Sequence, residues 1–292
     1  MRLGVSSYSF TGAVRAGRLD FLDIPAMAAE IGFDEIEFSV FIKPENTSTR
    51  DYAAKLVDAC AKAGIPIGNY AVSGELVAGS NDDLDAEIVR LKEEVEVASI
   101  LGSPRIRHDA ARGIPDTYPR YTGFDDVLPR LADGCRAITE YAATKGIKTM
   151  VENHGYFAQD SKRVEKLVRA VAHENFGLLI DIGNFVCVDE KPEIAVGRLA
   201  TYAFHVHAKD FHLKSGNSID PGEGWAVSRG GNYWRGAIAG HGDLNLYQCM
   251  KILKRAGYDG TVSMEFEGLE ESIRGVEIGY ANLRRYHEML GV

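Results

Sequence analysis

The sequence predicts an α/β protein built as a single (β/α)₈ (TIM) barrel that spans residues 1–292. Short apolar runs alternate strictly with helix-period segments along the chain, and about eight such units can be counted. Strict alternation of strand and helix requires a parallel sheet, and eight units of this size favour closure of the sheet into a barrel.

The connections from helix to strand share one pattern, in which a helical segment ends in glycine and an apolar strand follows within a few residues. A glycine just after a helix lets the chain turn away with a positive φ, so each instance predicts a short αβ connection. The glycines concerned are Gly32, Gly64, Gly102, Gly146 and Gly257. The predicted strands lie near residues 3–8, 35–39, 66–72, 104–108, 147–152, 177–181, 202–207 and 261–266.

The clearest helices are predicted over 82–101, 125–145 and 244–256. Between the seventh strand and its helix lies a long glycine-rich segment, residues 209–243, which contains both tryptophans of the chain, Trp225 and Trp234. A long segment of this kind in a compact domain is usually functional or disordered, and disordered segments are poor in aromatic residues. We therefore expect a folded flap over the mouth of the barrel, with a protein–protein contact as the alternative role.

Composition narrows the class of protein. The net charge of −9 argues against a nucleic-acid partner, which usually requires a basic face. No apolar run approaches the roughly 18 residues of a membrane span, and no secretory leader is visible at the first residues. The four cysteines are widely separated and lack any C-x-x-C spacing. These features predict a reduced, cytoplasmic protein without a membrane partner.

Four potential metal ligands occur in chain order at the ends of four successive apolar runs: Glu152, Asp181, His207 and Glu265. If the runs are neighbouring parallel strands, these side chains converge at the end of the barrel where catalytic residues lie. Three carboxylates and one imidazole suit Mn²⁺, Mg²⁺, Co²⁺ or Zn²⁺ and fit neither an iron–sulfur nor a blue-copper site. Any single one could be a solvated strand end, but four at equivalent positions favour a shared site.

Strand alternation places a second polar residue on the same side as three of these ligands. His154 lies two residues beyond Glu152, where a substrate contact and a structural role are both reasonable interpretations. His205 precedes His207 and is expected to be a buried, hydrogen-bonded residue of the barrel interior. Glu267 follows Glu265 and is expected to be solvated. Lys209 is an expected substrate donor, with pairing to Asp210 or Glu267 as the alternative.

The chain resembles the xylose isomerase-like barrel superfamily, in the sugar phosphate isomerase/epimerase family that includes the ketose 3-epimerases. The resemblance follows the strand order of the whole chain and is most specific after residue 150. The matching stretches are Val-Glu-Asn-His at 151–154, Asp-Ile-Gly-Asn at 181–184, His-Val-His-Ala-Lys-Asp at 205–210, and residues 257–267.

The resemblance implies one bound divalent metal ion, held by Glu152, Asp181, His207 and Glu265. Mn²⁺ is the expected ion, and Mg²⁺, Co²⁺ and Zn²⁺ are alternatives. It also implies that Glu152 and Glu265 form the acid/base pair that moves a proton next to a ketone through an enediolate. The expected activity is therefore isomerisation or epimerisation of a keto sugar or polyol ketone. The expected partner is a small sugar substrate, and a homo-oligomer is compatible with the sequence.

Two positions depart from the 3-epimerase pattern. Asn184 stands where those enzymes have a histidine three residues after the metal aspartate, and Leu213 stands where they have an arginine. Both family residues contact substrate, so the specificity of known epimerases does not transfer. Lys209 or Arg235 is the expected replacement donor, and Asn184 and His154 are further expected substrate contacts. Trp234, beside Arg235, offers a flat apolar face for a sugar ring.

Two other functions remain open at this level. The same metal and base would also serve a dehydratase or β-eliminase acting on a keto sugar or inosose. A non-catalytic sugar-binding barrel, with the tryptophan-rich segment as its interface, is the third alternative.

Overall fold

The computed structural model describes residues 1–291, and in this range eight parallel strands close into a barrel. The barrel order is β1-β11-β7-β6-β5-β4-β3-β2, closed by the parallel pairing of β1 with β11. The predicted (β/α)₈ barrel is confirmed. The strands are β1 (Arg2–Ser6), β2 (Glu35–Phe38), β3 (Ile67–Val72), β4 (Arg105–His108), β5 (Lys148–Glu152), β6 (Phe176–Asp181), β7 (Ala203–Ala208), β8 (Asp210–Lys214), β9 (Ala226–Val227), β10 (Tyr233–Ala237) and β11 (Thr261–Met264).

The helices lie outside the barrel strands and follow them in alternation. The three helices predicted most clearly begin and end within two residues of their expected bounds, as α5, α6 and α9. All five glycines predicted to end helices have positive φ, between +64° and +111°. The helices are α1 (Thr11–Arg15), α2 (Ile24–Ile31), α3 (Thr49–Ala63), α4 (Gly79–Asp82), α5 (Leu84–Ile100), α6 (Phe124–Ala143), α7 (Ser161–Val171), α8 (Pro192–Leu199), α9 (Leu246–Arg255) and α10 (Ser272–Leu290). Among residues 1–291, none of them combines the length and apolar character that crossing a bilayer requires.

Many polar side chains face the interior of the barrel, and they include those of the candidate site. Along the strands, apolar residues such as Ile36, Ile106 and Val206 belong to the buried hydrophobic core, and the residues on either side of them are charged or imidazole side chains. Because alternate residues of a strand face opposite sides, the apolar set packs under the helices and the polar set faces inward. Burying those polar groups requires that they be paired with one another.

Residues 209–243 contain a separate three-stranded antiparallel sheet in the order β8-β10-β9. Asp210 joins the beginning of this segment to its end. Its buried carboxylate accepts N–H bonds from Gly240 (2.8 Å), Gly242 (2.9 Å) and Leu244 (3.3 Å). A Cβ atom at Gly242 would lie 2.2 Å from Oδ1 of Asp210, so this close approach needs glycine.

Asp210→Ala is expected to loosen this segment without unfolding the barrel. The substitution leaves the partly buried N–H groups of Gly240, Gly242 and Leu244 without this acceptor, and an unsatisfied buried group costs at most about 1–3 kcal/mol. Limited proteolysis should therefore cut within 209–243 faster than in the wild type, while the far-UV circular dichroism stays unchanged. Asp220→Ala is the matched control, because exposed Asp220 accepts one local bond from Gly222. Equal cleavage of both variants would contradict the role of Asp210.

Candidate metal and active site

The four predicted ligands come together at the carboxyl end of the barrel. Glu152 and Asp181 are the last residues of β5 and β6, His207 lies in β7, and Glu265 directly follows β11. One ligand atom from each of the four lies within 4.8 Å of the other three, and all four residues are buried. The arrangement follows from strand order, since β5, β6, β7 and β11 are consecutive neighbours in the barrel.

His207 presents one ring nitrogen without a partner to the other three side chains. Its Nε2 lies 2.9 and 3.0 Å from the two carboxylate oxygens of Glu37, on the opposite side of the barrel. Its Nδ1 is buried and has no hydrogen-bond partner among residues 1–291. That atom lies 3.6 Å from both Oδ2 of Asp181 and Oε2 of Glu265. A buried nitrogen left free between two carboxylates is what a divalent cation requires, so these residues fit the ion.

Asp181 is held in place by the turn that follows β6. Its Oδ1 accepts N–H bonds from Gly183 (2.8 Å) and Asn184 (3.1 Å), which leaves Oδ2 directed at the ligand cluster. Burial alone would raise the pKa of Asp181, but Lys209 and His207 hold that pKa below its ordinary value. The carboxylate is therefore charged at neutral pH, as a metal ligand must be.

Lys209 places its ammonium group among the same carboxylates. Its Nζ lies 2.5 Å from Oε2 of Glu265 and 2.9 Å from Oδ2 of Asp181. Burial alone would lower the pKa of Lys209, but Asp181 and Glu265 raise it well above the ordinary value. Glu267 is 3.7 Å from the same nitrogen, in line with the expected pairing. Lys209 thus balances part of the negative charge of the cluster.

Glu152 is bound through both of its oxygens. Nη2 of Arg107 lies 2.6 Å from Oε2, and Nδ2 of Asn184 donates to Oε1 at 2.8 Å. Burial raises the pKa of Glu152 above its ordinary value, although Arg107 acts in the opposite direction. A raised carboxyl pKa brings the group closer to the range in which it can both accept and donate a proton.

A cavity of about 260 Å³ opens over this cluster at the mouth of the barrel. It is lined by Glu152, Glu265, Glu267, Lys209 and His154, together with hydroxyl and arginine side chains contributed by β1–β4 and their loops. His154 contributes a half-exposed imidazole whose Nδ1 lies 3.1 Å from Oδ1 of Asp109. Four acidic groups, Asp109 among them, and several donors thus face a space suited to a small polar molecule.

The remaining predicted substrate contacts are Asn184, Trp234 and Arg235. Asn184 lies behind Glu152 and lends it a hydrogen bond. In the part of the chain that the structure describes, neither Trp234 nor Arg235 lines the 260 Å³ cavity. Trp234 packs on Phe211, with ring centroids 4.6 Å apart, and lines a second cavity of about 430 Å³ between the 209–243 sheet and the start of α8. The roles of Asn184, Trp234 and Arg235 in substrate binding stay predictions.

Three residues of the site were missed by sequence reasoning: Glu37 on β2, Arg107 on β4 and Asp109 just after β4. Arg107 contacts both Glu152 and Asp109, the latter at 3.4 Å. Their signal in the sequence is weak but present. Charged residues alternate with apolar ones in Glu35-Ile36-Glu37 and Arg105-Ile106-Arg107, and such alternation marks an inward-facing polar set in a closed barrel. His205 is buried, and its Nε2 lies 3.0 Å from Oγ of Ser263, as expected for an interior residue.

The fold and the site define a barrel protein with a cluster of acidic side chains at the carboxyl end of its strands. Comparison with known families identifies the family to which the chain belongs. The model of the xylose isomerase-like TIM barrel family matches residues 25–286. The chain therefore belongs to the xylose isomerase-like TIM barrel family, as its motifs indicated.

One curated protein resembles part of the chain at low identity. An uncharacterized protein of Methanocaldococcus jannaschii is 23% identical over 181 residues, which cover 61% of this chain and 54% of that protein. The match thus spans about half the length of this curated relative.

Solved structures share the fold over nearly the whole chain. A D-tagatose 3-epimerase-like protein is 22% identical with a TM-score of 0.67, covering 100% of this chain and 98% of the other. The probable 3-DHS dehydratase AsbF of Bacillus anthracis is 18% identical with a TM-score of 0.71, covering 97% and 99%. A xylose isomerase-like TIM barrel protein of Mycobacterium smegmatis, in complex with magnesium, is 15% identical with a TM-score of 0.73, covering 99% and 97%.

Proposed function

We propose that this protein is a divalent-metal-dependent sugar isomerase or epimerase that acts on a keto sugar or polyol ketone. The observation that carries the proposal is the free Nδ1 of His207, directed at Asp181 and Glu265 beneath a cavity lined by three more acidic groups. The names of the structural neighbours, which include a 3-epimerase-like protein and a magnesium complex, support the same class of activity.

Glu152, Asp181, His207 and Glu265 would hold the ion, with Mn²⁺ the best-suited candidate and Mg²⁺, Co²⁺ or Zn²⁺ as alternatives. A bound ion would act as a Lewis acid on a substrate carbonyl and stabilise the negative charge that develops there.

The proton transfer itself falls to the two glutamates. Glu152 and Glu265 come from strands on the two flanks of the cluster and both line the cavity. One carboxylate removes the proton next to the ketone and the other returns a proton to the opposite face, which inverts that carbon. The raised pKa of Glu152 assists a group that must carry a proton during part of the cycle.

The other polar side chains of the cavity would bind substrate hydroxyls. Lys209 carries three donors and His154 is half-exposed at the rim. Lys209 would replace a donor that the 3-epimerase pattern places at residue 184 or 213, which supports a specificity of its own for this site.

The experiment is proton exchange measured by ¹H NMR in D₂O. The purified protein and Mn²⁺ are incubated with free and phosphorylated ketopentoses, ketohexoses and inososes. The Mn²⁺ is removed after turnover, before the spectra are recorded. We expect deuterium at one carbon next to the carbonyl of a substrate, and the product identifies epimer or aldose. Absence of exchange across the panel, with metal binding demonstrated in the same preparation, would refute the proposal.

A second candidate function is dehydration through β-elimination, and the contacts of Glu152 favour it. Both oxygens of Glu152 are already bound by Arg107 and Asn184, whereas the carboxylate of Glu265 is contacted through Oε2 alone among residues 1–291. Elimination needs one base to form the carbanion, which then expels a β-hydroxyl group, so a single available carboxylate suffices. In the same NMR experiment, an olefinic or dehydrated product would establish this candidate, and an epimer or aldose would eliminate it.

A further inference from the structure

A buried carboxylate lies directly beneath the candidate metal site. Glu37 on β2 is 1% exposed and reaches across the barrel to β7, a strand with which β2 does not pair. Its Oε2 accepts a hydrogen bond from Nδ2 of Asn69 at 2.7 Å and lies 3.2 Å from Nε2 of His205. Both of its oxygens lie within 3.0 Å of Nε2 of His207. Glu37 therefore contacts the predicted histidine ligand but does not line the mouth cavity among the described residues.

We propose that Glu37 is the positioning residue of the metal site, which fixes the tautomer and the ring orientation of His207. The inference rests on the proposed function, because it requires that Nδ1 of His207 bind the ion. By accepting the Nε2–H of His207, Glu37 leaves Nδ1 unprotonated and directed at Asp181 and Glu265.

The chemistry of the acceptor explains why a carboxylate is used. A neutral imidazole carries its proton on either nitrogen, and the neighbour of one nitrogen decides which. An ionised carboxylate only accepts, so the nitrogen facing it must carry the proton, whereas an amide or hydroxyl could also donate. The contacts of Glu37 are those of an ionised carboxylate, since its Oε2 also accepts a hydrogen bond from Nδ2 of Asn69.

The geometry of the acceptor fixes the ring plane as well. Nε2 of His207 is almost equidistant from the two oxygens, so rotation of the imidazole in either direction lengthens one contact. Asn69, on the adjacent strand β3, prevents the carboxylate from turning with the ring. Histidine ligands in metal sites commonly depend on such a carboxylate, and its loss typically lowers metal affinity by roughly 10–100-fold.

Glu37, His205 and His207 are also close enough together to be considered as a metal site of their own. Two observations favour hydrogen bonding instead. Oε2 of Glu37 already accepts from Asn69, and Nε2 of His205 lies 3.0 Å from Oγ of Ser263. One bound ion per chain is therefore expected.

The test compares Glu37→Gln with Glu35→Gln in Co²⁺ titrations of the full chain. Glu35 is the matched control: it lies two residues earlier on β2, is 2% exposed, and pairs with Arg2 and Arg105 instead of a histidine. We expect Glu37→Gln to weaken Co²⁺ binding by roughly 10–100-fold and to change the visible absorption spectrum of bound Co²⁺. Glu35→Gln is expected to lower thermal stability while it keeps the wild-type affinity and spectrum.

The outcomes separate the two proposals. A wild-type chain that binds none of Mn²⁺, Mg²⁺, Co²⁺ and Zn²⁺ would refute the metal-dependent function. A wild-type chain that binds Co²⁺ with the same affinity and spectrum as Glu37→Gln would overturn the role of Glu37 alone. Two ions per chain, one of them lost in Glu37→Gln, would make Glu37 a ligand and also overturn it.

A measurement on the wild-type chain decides the question even if Glu37→Gln does not fold. Long-range ¹H–¹⁵N NMR of the Zn²⁺-loaded protein, with the His207 signals assigned by their loss in His207→Ala, reports which ring nitrogen carries the proton. A proton on Nε2 supports the inference, and a proton on Nδ1 overturns it.

Discussion

Asp181→Asn is expected to abolish metal binding at working concentrations while the barrel stays folded. The side chain keeps its shape, and its Oδ1 can still accept the N–H bonds of Gly183 and Asn184. The substitution removes one negative charge from the set of metal ligands, and hard divalent cations need an anionic set of ligands. It also directs an amide at Lys209, which lies 2.9 Å from Oδ2 in the wild type. Because a ligand itself is lost, the affinity should fall by more than the roughly 10–100-fold typical of residues that support ligands.

The measurement is metal content after dialysis against Mn²⁺, by elemental analysis, beside the wild type and His207→Ala. Asp189→Asn is the matched control, because Asp189 lies after the same strand but binds Ser228 and Asn232 of the 209–243 segment. The control should retain full metal content. Full occupancy in both Asp181→Asn and His207→Ala would show that the ligand assignment is wrong.

Glu152→Gln and Glu265→Gln are each expected to lower turnover by roughly 10²–10⁴-fold, the usual contribution of a general acid or base. Glutamine keeps one oxygen that can contact the metal ion but cannot take up a proton at neutral pH. Loss of the carboxylate at residue 152 also leaves Arg107 without its closest partner, at 2.6 Å. Turnover is measured on the substrate identified by NMR, at metal concentrations raised until each variant is saturated.

Saturation with metal separates the two roles of each glutamate. If turnover stays low in a fully loaded variant, the lost function is proton transfer. If it recovers completely, that glutamate is a ligand only. Glu267→Gln is the control, since Glu267 lines the same cavity but lies 3.7 Å from Lys209 and outside the ligand cluster. A loaded Glu152→Gln variant that still exchanges the substrate proton, beside an inactive Glu265→Gln variant, would favour the one-base elimination.

The amino-acid sequence determined the barrel and the order of the four convergent side chains. Strand and helix periods repeat within a few residues, and a glycine such as Gly64 or Gly146 ends its helix through its own φ. These are local properties, so they can be read without knowing what lies across the molecule. The convergence of Glu152, Asp181, His207 and Glu265 needed one further step, namely that consecutive parallel strands are neighbours.

Only the tertiary structure decided which groups face these four side chains. Glu37 and His207 are 170 positions apart and meet because the closed barrel brings β2 opposite β7. Arg107 reaches Glu152 because β4 and β5 pair side by side, and Trp234 lies against Phe211 because β8 and β10 form a sheet outside the barrel. Contacts of this kind depend on closure, strand register and side-chain packing, and local periodicity carries no information about them.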